Sequence, residues 1–242
     1  MSVVFGACSP VGRAIVTRLA FAGQKVAAID TNRDALGKME DELNKVGGNV
    51  KAVGLGDDEP STMAAATEAV GGTMSGLVFV PPPNEVKGDI INTSVIQFNT
   101  VFAQRLTLPF RIIKAAIPHL KQSSNGSVVV VNSAAAFTPF VDLGLFSAAS
   151  TGLVALVKNL SVDPGVLPIR VNQVVLSTVH SDGSGGFWED KEKEPTFAGA
   201  IPVGRVGAPT DVASAVEFLL SNKARYITGE AMVLSGGMQL RL

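Results

Sequence analysis

Apolar residues along the chain form short unbroken runs separated by longer amphipathic segments. The runs cover residues 3–5, 25–30, 50–54, 77–80, 127–132, 169–175 and 231–234, and they are rich in Val and Ile. Such runs, without polar alternation, are typical of strands buried on both faces. Segments of helical length lie between them, at 11–22, 33–45, 62–70, 95–121, 147–160 and 211–220. This alternation predicts an α/β fold with a doubly wound parallel sheet of about seven strands and helices on both faces.

Length and composition narrow the number of domains and the kinds of partner to expect. A chain of 242 residues, 46% of them hydrophobic, suits one domain spanning 1–242, and a net charge of −1 gives no reason to expect nucleic acid or membrane as a partner. The single cysteine excludes an internal disulfide and suits a reducing compartment. The chain opens directly on an apolar run, and no run approaches the roughly 18–20 residues that cross a bilayer. We therefore expect a cytoplasmic protein.

A glycine-containing turn follows the first predicted strand and leads into the first predicted helix. Residues 6–12 read GACSPVG. In a Rossmann-like fold, such a turn brings N–H groups at a helix N-terminus to a dinucleotide pyrophosphate. Pro10, however, occupies the position of the middle glycine and lacks an N–H. Gly6 and Gly12 therefore either bind a cofactor or serve only the turn and helix packing, and the loss of the ligand-facing glycine favours the second interpretation.

Asp30 ends the second predicted strand, 18 residues after Gly12. An acid at this point bonds the ribose 2′-hydroxyl and favours NAD over NADP. The alternative is a solvated or helix-capping aspartate. We therefore predict that this chain binds no cofactor or binds NAD weakly.

The C-terminal third carries a specific set of motifs, and the middle of the chain fits the same pattern. The motif segments are PVGRVGAP at 202–209, FLLS at 218–221, YITG at 226–229 and GG at 236–237, with 105–120, 126–133 and 169–172 in the middle. The chain resembles the short-chain dehydrogenase/reductase family over essentially its whole length. The resemblance implies a single-domain Rossmann fold and pairing of subunits through the two long helices and the last helix and strand.

The resemblance also implies a proton-transfer set of Asn, Ser, Tyr and Lys, with Tyr 13 residues after Ser and Lys four after Tyr. Ser133 matches the serine, whereas Phe146, Ser150 and Arg105 stand at the Tyr, Lys and Asn positions. A benzene ring cannot donate a proton, and a positioned acid is worth about 10²–10⁴-fold. The only tyrosine is Tyr226, inside the YITG motif, so no shift of register supplies the acid.

These substitutions predict a non-catalytic subunit that assembles with and supports an active NAD-dependent hydroxyacyl or alcohol dehydrogenase. The partner would be a paralogous active subunit, in a heterodimer or heterotetramer, or a second copy of the chain. The resemblance extends to non-catalytic subunits of heteromeric dehydrogenases, such as the CoA-ester dehydrogenase of anaerobic toluene degradation.

The alternative is an atypical NAD(P)-dependent oxidoreductase, or a cofactor-free lyase or cyclase, that uses the same cleft. It would draw on Ser133, Arg105 or His180. The loop after His180 contains Phe187 and Trp188, which resemble a lid or a docking element. No cluster of residues suggests a metal site.

Overall fold

Seven short strands form one sheet in the computed structural model, which describes residues 1–83, 86–138, 140–180 and 194–239. The strands are β1 (Ser2–Phe5), β2 (Val26–Ile29), β3 (Val50–Val53), β4 (Gly76–Phe79), β5 (Ser127–Ser133), β6 (Arg170–Leu176) and β7 (Ala231–Leu234). All pairings are parallel, in the order β3-β2-β1-β4-β5-β6-β7. The predicted fold class is confirmed, because the apolar runs form buried strands within one or two residues of their expected bounds.

The strand order reverses between β1 and β4. Ser2 to Phe5 pair with Val26 to Ile29 on one side and with Gly76 to Phe79 on the other. In doubly wound sheets, ligands bind outside the carboxyl ends of the strands at this switch point. The loops after Phe5, Phe79 and Ser133 therefore border the candidate site.

Helices cover both faces of the sheet. They are α1 (Pro10–Phe21), α2 (Arg33–Lys45), α3 (Glu59–Val70), α4 (Val95–Phe102), α5 (Leu108–Leu120), α6 (Gly144–Leu160), α7 (Glu194–Gly199) and α8 (Pro209–Leu220). A π-helical turn, Ala103–Thr107, joins α4 to α5, and short 3₁₀ turns cover Ala134–Ala136 and Asn222–Ala224. None of the helices within the described ranges is both long and apolar enough to span a bilayer.

Two apolar clusters fill the spaces between sheet and helices. One contains Val4, Ile15, Leu19 and Val216, and it packs α1 and α8 on one face. The other contains Phe79, Ile112 and Leu153, and it packs α3, α5 and α6 on the opposite face. The five inner strands are buried on both sides, as their unbroken apolar runs predict, whereas the edge strands β3 and β7 are partly exposed.

Two helices begin three residues earlier than predicted: α6, which has no side-chain cap, and α3, which has one. Helix α3 begins three residues earlier than predicted because Asp58 accepts the Ser61 N–H at 2.7 Å and the Ser61 hydroxyl accepts the Asp58 N–H at 3.2 Å. The predicted helix 95–121 is continuous but contains the π turn. The short α7 was not predicted.

Candidate active site

The glycine turn after β1 is packed against β4 and against itself. Gly6 has φ +78°, and a Cβ there would lie 2.2 Å from the carbonyl oxygen of Val80. A Cβ on Gly12 would lie 2.0 Å from the carbonyl oxygen of Gly6. Both glycines are therefore required by the loop itself, which is the packing role considered from the sequence.

Helix α1 begins as its sequence indicates. Ser9 is the N-cap, and its hydroxyl accepts the N–H of Gly12 at 3.0 Å. Pro10 takes the first helical position, where an N–H has no helical partner in any case. The positive end of this helix points toward the switch point, so it can still attract an anion although Pro10 removes one donor.

Asp30 ties the glycine turn to the end of β2. Its Oδ2 accepts the N–H of Cys8 at 2.9 Å, and its Oδ1 accepts the N–H of Asn32 at 3.2 Å. Asn32, not Asp30, caps α2, since the Asn32 side chain accepts the N–H of Ala35 at 3.0 Å. The carboxylate is only half-buried, and its Oδ1 also accepts the hydroxyl of Thr31 at 3.4 Å.

An open cavity of about 390 Å³ lies between α2 and the end of β3. Arg33, Leu36, Gly37, Ala52, Gly54 and Leu55 line it. The sequence reasoning missed Arg33, although its spacing of three residues from Asp30 placed it at the same corner.

Ser133 ends β5 at the crevice. Its hydroxyl oxygen accepts the N–H of Ala135 at 3.2 Å, which starts the 3₁₀ turn. Its own proton remains available as a donor. The preceding residue, Asn132, is buried and fixes the end of the strand: its amide donates to the Ser150 carbonyl and to Gln173 Oε1, both at 3.0 Å.

The π-helical turn places Arg105 on the ring of Phe146. The guanidinium carbon lies 4.4 Å from the ring centroid, and both side chains are buried. Burial lowers the pKa of Arg105 to about 10, so the guanidinium is still cationic at neutral pH. Single π turns within α-helices are frequent at functional sites. The sequence placed both residues at the site but contained no signal for their contact.

Ser150 lies one turn after Phe146 on α6 and is fully buried. The hydroxyl oxygens of Ser147 and Ser150 have no hydrogen-bond partner among the described residues, and neither has Nε of Arg105. Ser150 stands at the family's Lys position but carries no charge. Among the described residues, the only cation in contact with Phe146 is therefore Arg105, from the π turn.

Tyr226 and His180 are the remaining titratable candidates from the sequence. Tyr226 is fully exposed, next to the amino end of β6, where Gly229 donates its N–H to Val171. It is therefore at the opposite edge of the sheet from the crevice. Nε2 of His180 lies 3.0 Å from Glu194 Oε1, at the start of α7. Phe187 and Trp188 lie outside the described residues. Among the residues that are described, no group could hold a metal ion.

This combination of a seven-stranded parallel sheet, a glycine turn after β1 and a serine ending β5 defines a Rossmann-type oxidoreductase fold. The model of the family described as enoyl-(acyl carrier protein) reductase matches residues 6–239. The chain belongs to the short-chain dehydrogenase/reductase family.

Relatives and solved structures agree over the whole chain. Dehydrogenase/reductase SDR family member 4 of Oryctolagus cuniculus is 31% identical over 100% of this chain and 94% of its own length. A dehydrogenase/reductase from Sinorhizobium meliloti superposes with a TM-score of 0.88 at 26% identity, over 99% of this chain and 95% of that one. A variant of actinorhodin polyketide ketoreductase, solved with NADPH, gives 0.88 at 23% identity, over 98% and 96% of the two chains, and shows the fold alone.

The prediction of a non-catalytic subunit is wrong. Full-length relatives are named as dehydrogenases and reductases, and the family is one of oxidoreductases. The prediction treated loss of one proton donor as loss of the reaction. A positioned acid supplies only about 10²–10⁴-fold, whereas enzymes typically accelerate reactions by about 10⁶-fold or more.

Proposed function

We propose that this chain is an NAD(H)-dependent oxidoreductase that interconverts a carbonyl group and an alcohol. The observation that carries the proposal is Ser133, at the carboxyl end of β5 and at the family's position for the residue that holds the substrate oxygen. Its hydroxyl oxygen accepts from Ala135, which orients the remaining proton for donation to that oxygen. Hydrogen bonds to an oxygen that gains negative charge are among the stronger ones.

NAD(H) is the cofactor that the corner at Asp30 favours. When bound, its nicotinamide supplies the hydride for reduction or accepts it in oxidation. Asp30 would accept the ribose 2′-hydroxyl through Oδ2, which receives the N–H of Cys8, whereas Oδ1 already receives the N–H of Asn32 and the hydroxyl of Thr31. The same carboxylate repels the additional phosphate of NADP(H). Arg33, which lines the adjacent cavity, opposes this preference.

The proton for the substrate oxygen comes from water in this proposal, because Phe146 has no acidic group. Reduction adds a hydride to the carbonyl carbon and a proton to its oxygen, and Ser133 holds that oxygen during the transfer. Turnover is expected to fall below a typical value of about 10 s⁻¹ by roughly 10²–10⁴-fold.

Two measurements test the proposal. Calorimetric titration with NAD(H) and NADP(H) is expected to show binding, with NAD(H) the tighter ligand. NADH oxidation with a panel of ketones and oxo acids is expected to show slow turnover that Ser133→Ala reduces. Ser123→Ala is the matched control, because Ser123 also accepts an N–H two residues on, from Asn125, but at the amino end of β5. Absence of binding, or equal effects of the two variants, would refute the proposal.

We also propose that copies of the chain pair through the helix that runs from α4 to α5. Val95 and Ile96 are 74% and 78% exposed in its first turn, and Phe110 is 40% exposed further along. Exposed apolar side chains on one helix favour burial against another subunit. Sedimentation of the purified chain is expected to show an oligomer that Ile96→Glu weakens; a monomer would contradict the pairing.

A further inference from the structure

Arg105 is a buried cation without a counter-ion among the described residues. Its side chain is only 7% exposed, and none of the salt bridges between described residues includes it. Its Nε has no hydrogen-bond acceptor in the same part of the chain, which is also true of Nε of Arg170, so the two arginines differ in their terminal nitrogens. The contact with Phe146 offsets only part of the loss of hydration, since a cation–π contact contributes about 0.5–2 kcal/mol and burying an ion costs several.

The other buried arginine shows how this chain satisfies such a group for structural purposes. Arg170 donates to the carbonyl oxygens of Leu219, Ala224, Ile227, Leu220 and Ser221, at 2.8 to 3.4 Å. It thereby joins β6 to the end of α8. Arg105 makes no comparable set of bonds within the described residues, so holding two elements together does not account for its burial.

The position of Arg105 points to a ligand in the crevice. The π turn that carries it packs on α6, and α6 also packs on the 3₁₀ turn after Ser133, where the Thr151 hydroxyl donates to the Ala136 carbonyl at 2.9 Å. The unpartnered hydroxyls of Ser147 and Ser150 lie on the same helix. A cation and two hydroxyls without partners among the described residues thus lie on the π turn and on α6, and α6 packs on the turn that follows Ser133.

We propose that Arg105 binds a carboxylate of the substrate, so that the preferred substrates are hydroxy and oxo acids. The inference rests on the proposed function. A guanidinium matches a carboxylate with two parallel hydrogen bonds, and one carboxylate neutralises one buried cation. A phosphate, at a charge of about −2, would leave excess negative charge buried in the same place. Phe146 holds the guanidinium plane from the opposite side.

The first test compares acids with their uncharged esters. Binding of acetoacetate and of methyl acetoacetate is measured by calorimetry on the NADH-saturated protein, for wild type, Arg105→Gln and Arg105→Lys. Wild type is expected to prefer the acid by at least 10-fold, Arg105→Lys to keep part of this preference, and Arg105→Gln to lose it while its NADH affinity stays within about twofold. Equal preference in wild type and Arg105→Gln would overturn the inference. Failure of NADH to bind at all would instead refute the proposed function.

The second test measures stability without substrate. An uncompensated buried charge destabilises the ligand-free protein, so Arg105→Met is expected to raise its melting temperature. Acetoacetate is expected to raise the melting temperature of wild type and not that of Arg105→Met. A melting temperature several degrees lower in Arg105→Met would show that the cation is already neutralised within the chain, and would overturn the inference. Arg170→Met is the matched control and is expected to destabilise, because it leaves several carbonyl oxygens without their donor.

Discussion

The backbone N–H of Cys8 donates to the carboxylate of Asp30 at 2.9 Å, which joins the glycine turn to the end of β2. One side chain thus fixes the shape of the turn and presents a carboxylate to the crevice. The same contact changes the chemistry of the cysteine, because its thiol lies beside a negative charge.

The thiol of Cys8 is expected to be unreactive. Burial, followed by the charge and the hydrogen bond of Asp30, raises its pKa from 9.0 to about 11. The thiolate fraction at neutral pH then falls by about 100-fold, since each pKa unit is a factor of ten. At pH 7.5, iodoacetamide is expected to alkylate Cys8 about 100-fold more slowly in the folded protein than in the chain unfolded in guanidinium. Asp30→Asn should recover part of the rate, and an equal rate in folded and unfolded protein would contradict the prediction.

Asp30→Ala is expected to weaken NAD(H) binding by about 10-fold, the cost of one hydrogen bond to a charged group. NADP(H) binding should strengthen or stay unchanged, because the repelling carboxylate is gone. Calorimetric titration measures both. Arg33→Ala is the matched variant from the same corner, and it should weaken NADP(H) while sparing NAD(H). Parallel losses in both variants would indicate a general disruption of the loop instead.

Phe146→Tyr is expected to raise the rate of carbonyl reduction by about 10²-fold, the lower end of the contribution of a positioned acid. The new phenol would lie on the ring that Arg105 already covers, and the nearby cation would lower its pKa. Single-turnover NADH oxidation measures the gain. Phe137→Tyr, which adds the same hydroxyl to a partly exposed ring, is the control. No gain in Phe146→Tyr would show that the ring does not face the transferred oxygen.

Gly12→Ala is expected to destabilise the fold by about 3 kcal/mol or more, because the new Cβ would lie 2.0 Å from the backbone oxygen of Gly6. Gly37→Ala is the opposite case. Gly37 lies inside α2, a Cβ there would meet no described atom within 4 Å, and alanine favours the helix by about 0.5–1 kcal/mol. Urea unfolding of both variants measures the difference. Similar midpoints would refute the packing role of Gly12.

Acid is expected to remove the stabilisation that the Asp211 carboxylate gives to the start of α8. The hydrogen bond from Arg205, followed by the N–H of Ala208, lowers the pKa of Asp211. A carboxylate whose pKa is lower in the folded than in the unfolded chain stabilises the fold at pH values above the unfolded pKa. This stabilisation is lost as the pH falls through the folded pKa. Asp211→Asn should therefore lower the melting temperature at pH 7 by a few degrees and change it less at pH 3. An equal drop at both values would contradict the prediction.

The sequence by itself determined the fold of this protein. Apolar runs rich in Val and Ile without polar alternation favour burial on both faces, so they required a parallel sheet covered by helices, with partial exposure only at the edge strands β3 and β7. The turn at Gly6 and Gly12, with Ser9 as the cap, fixed where the first helix begins. The single tyrosine, Tyr226, predicts that the phenol implied by the family resemblance is absent from the crevice, and this prediction needs only a count.

Only the tertiary structure shows that Arg105 contacts Phe146 and that it lacks a counter-ion among the described residues. Residues 105 and 146 are far apart along the chain, and their contact depends on a π turn that no local pattern encodes. Whether a buried arginine is satisfied depends on acceptors from other elements, which Arg170 has and Arg105 lacks among the described residues. The loss of a proton donor at position 146 is thus a prediction from the sequence, whereas the cation that covers the Phe146 ring is known only from the packing of α6 on the π turn.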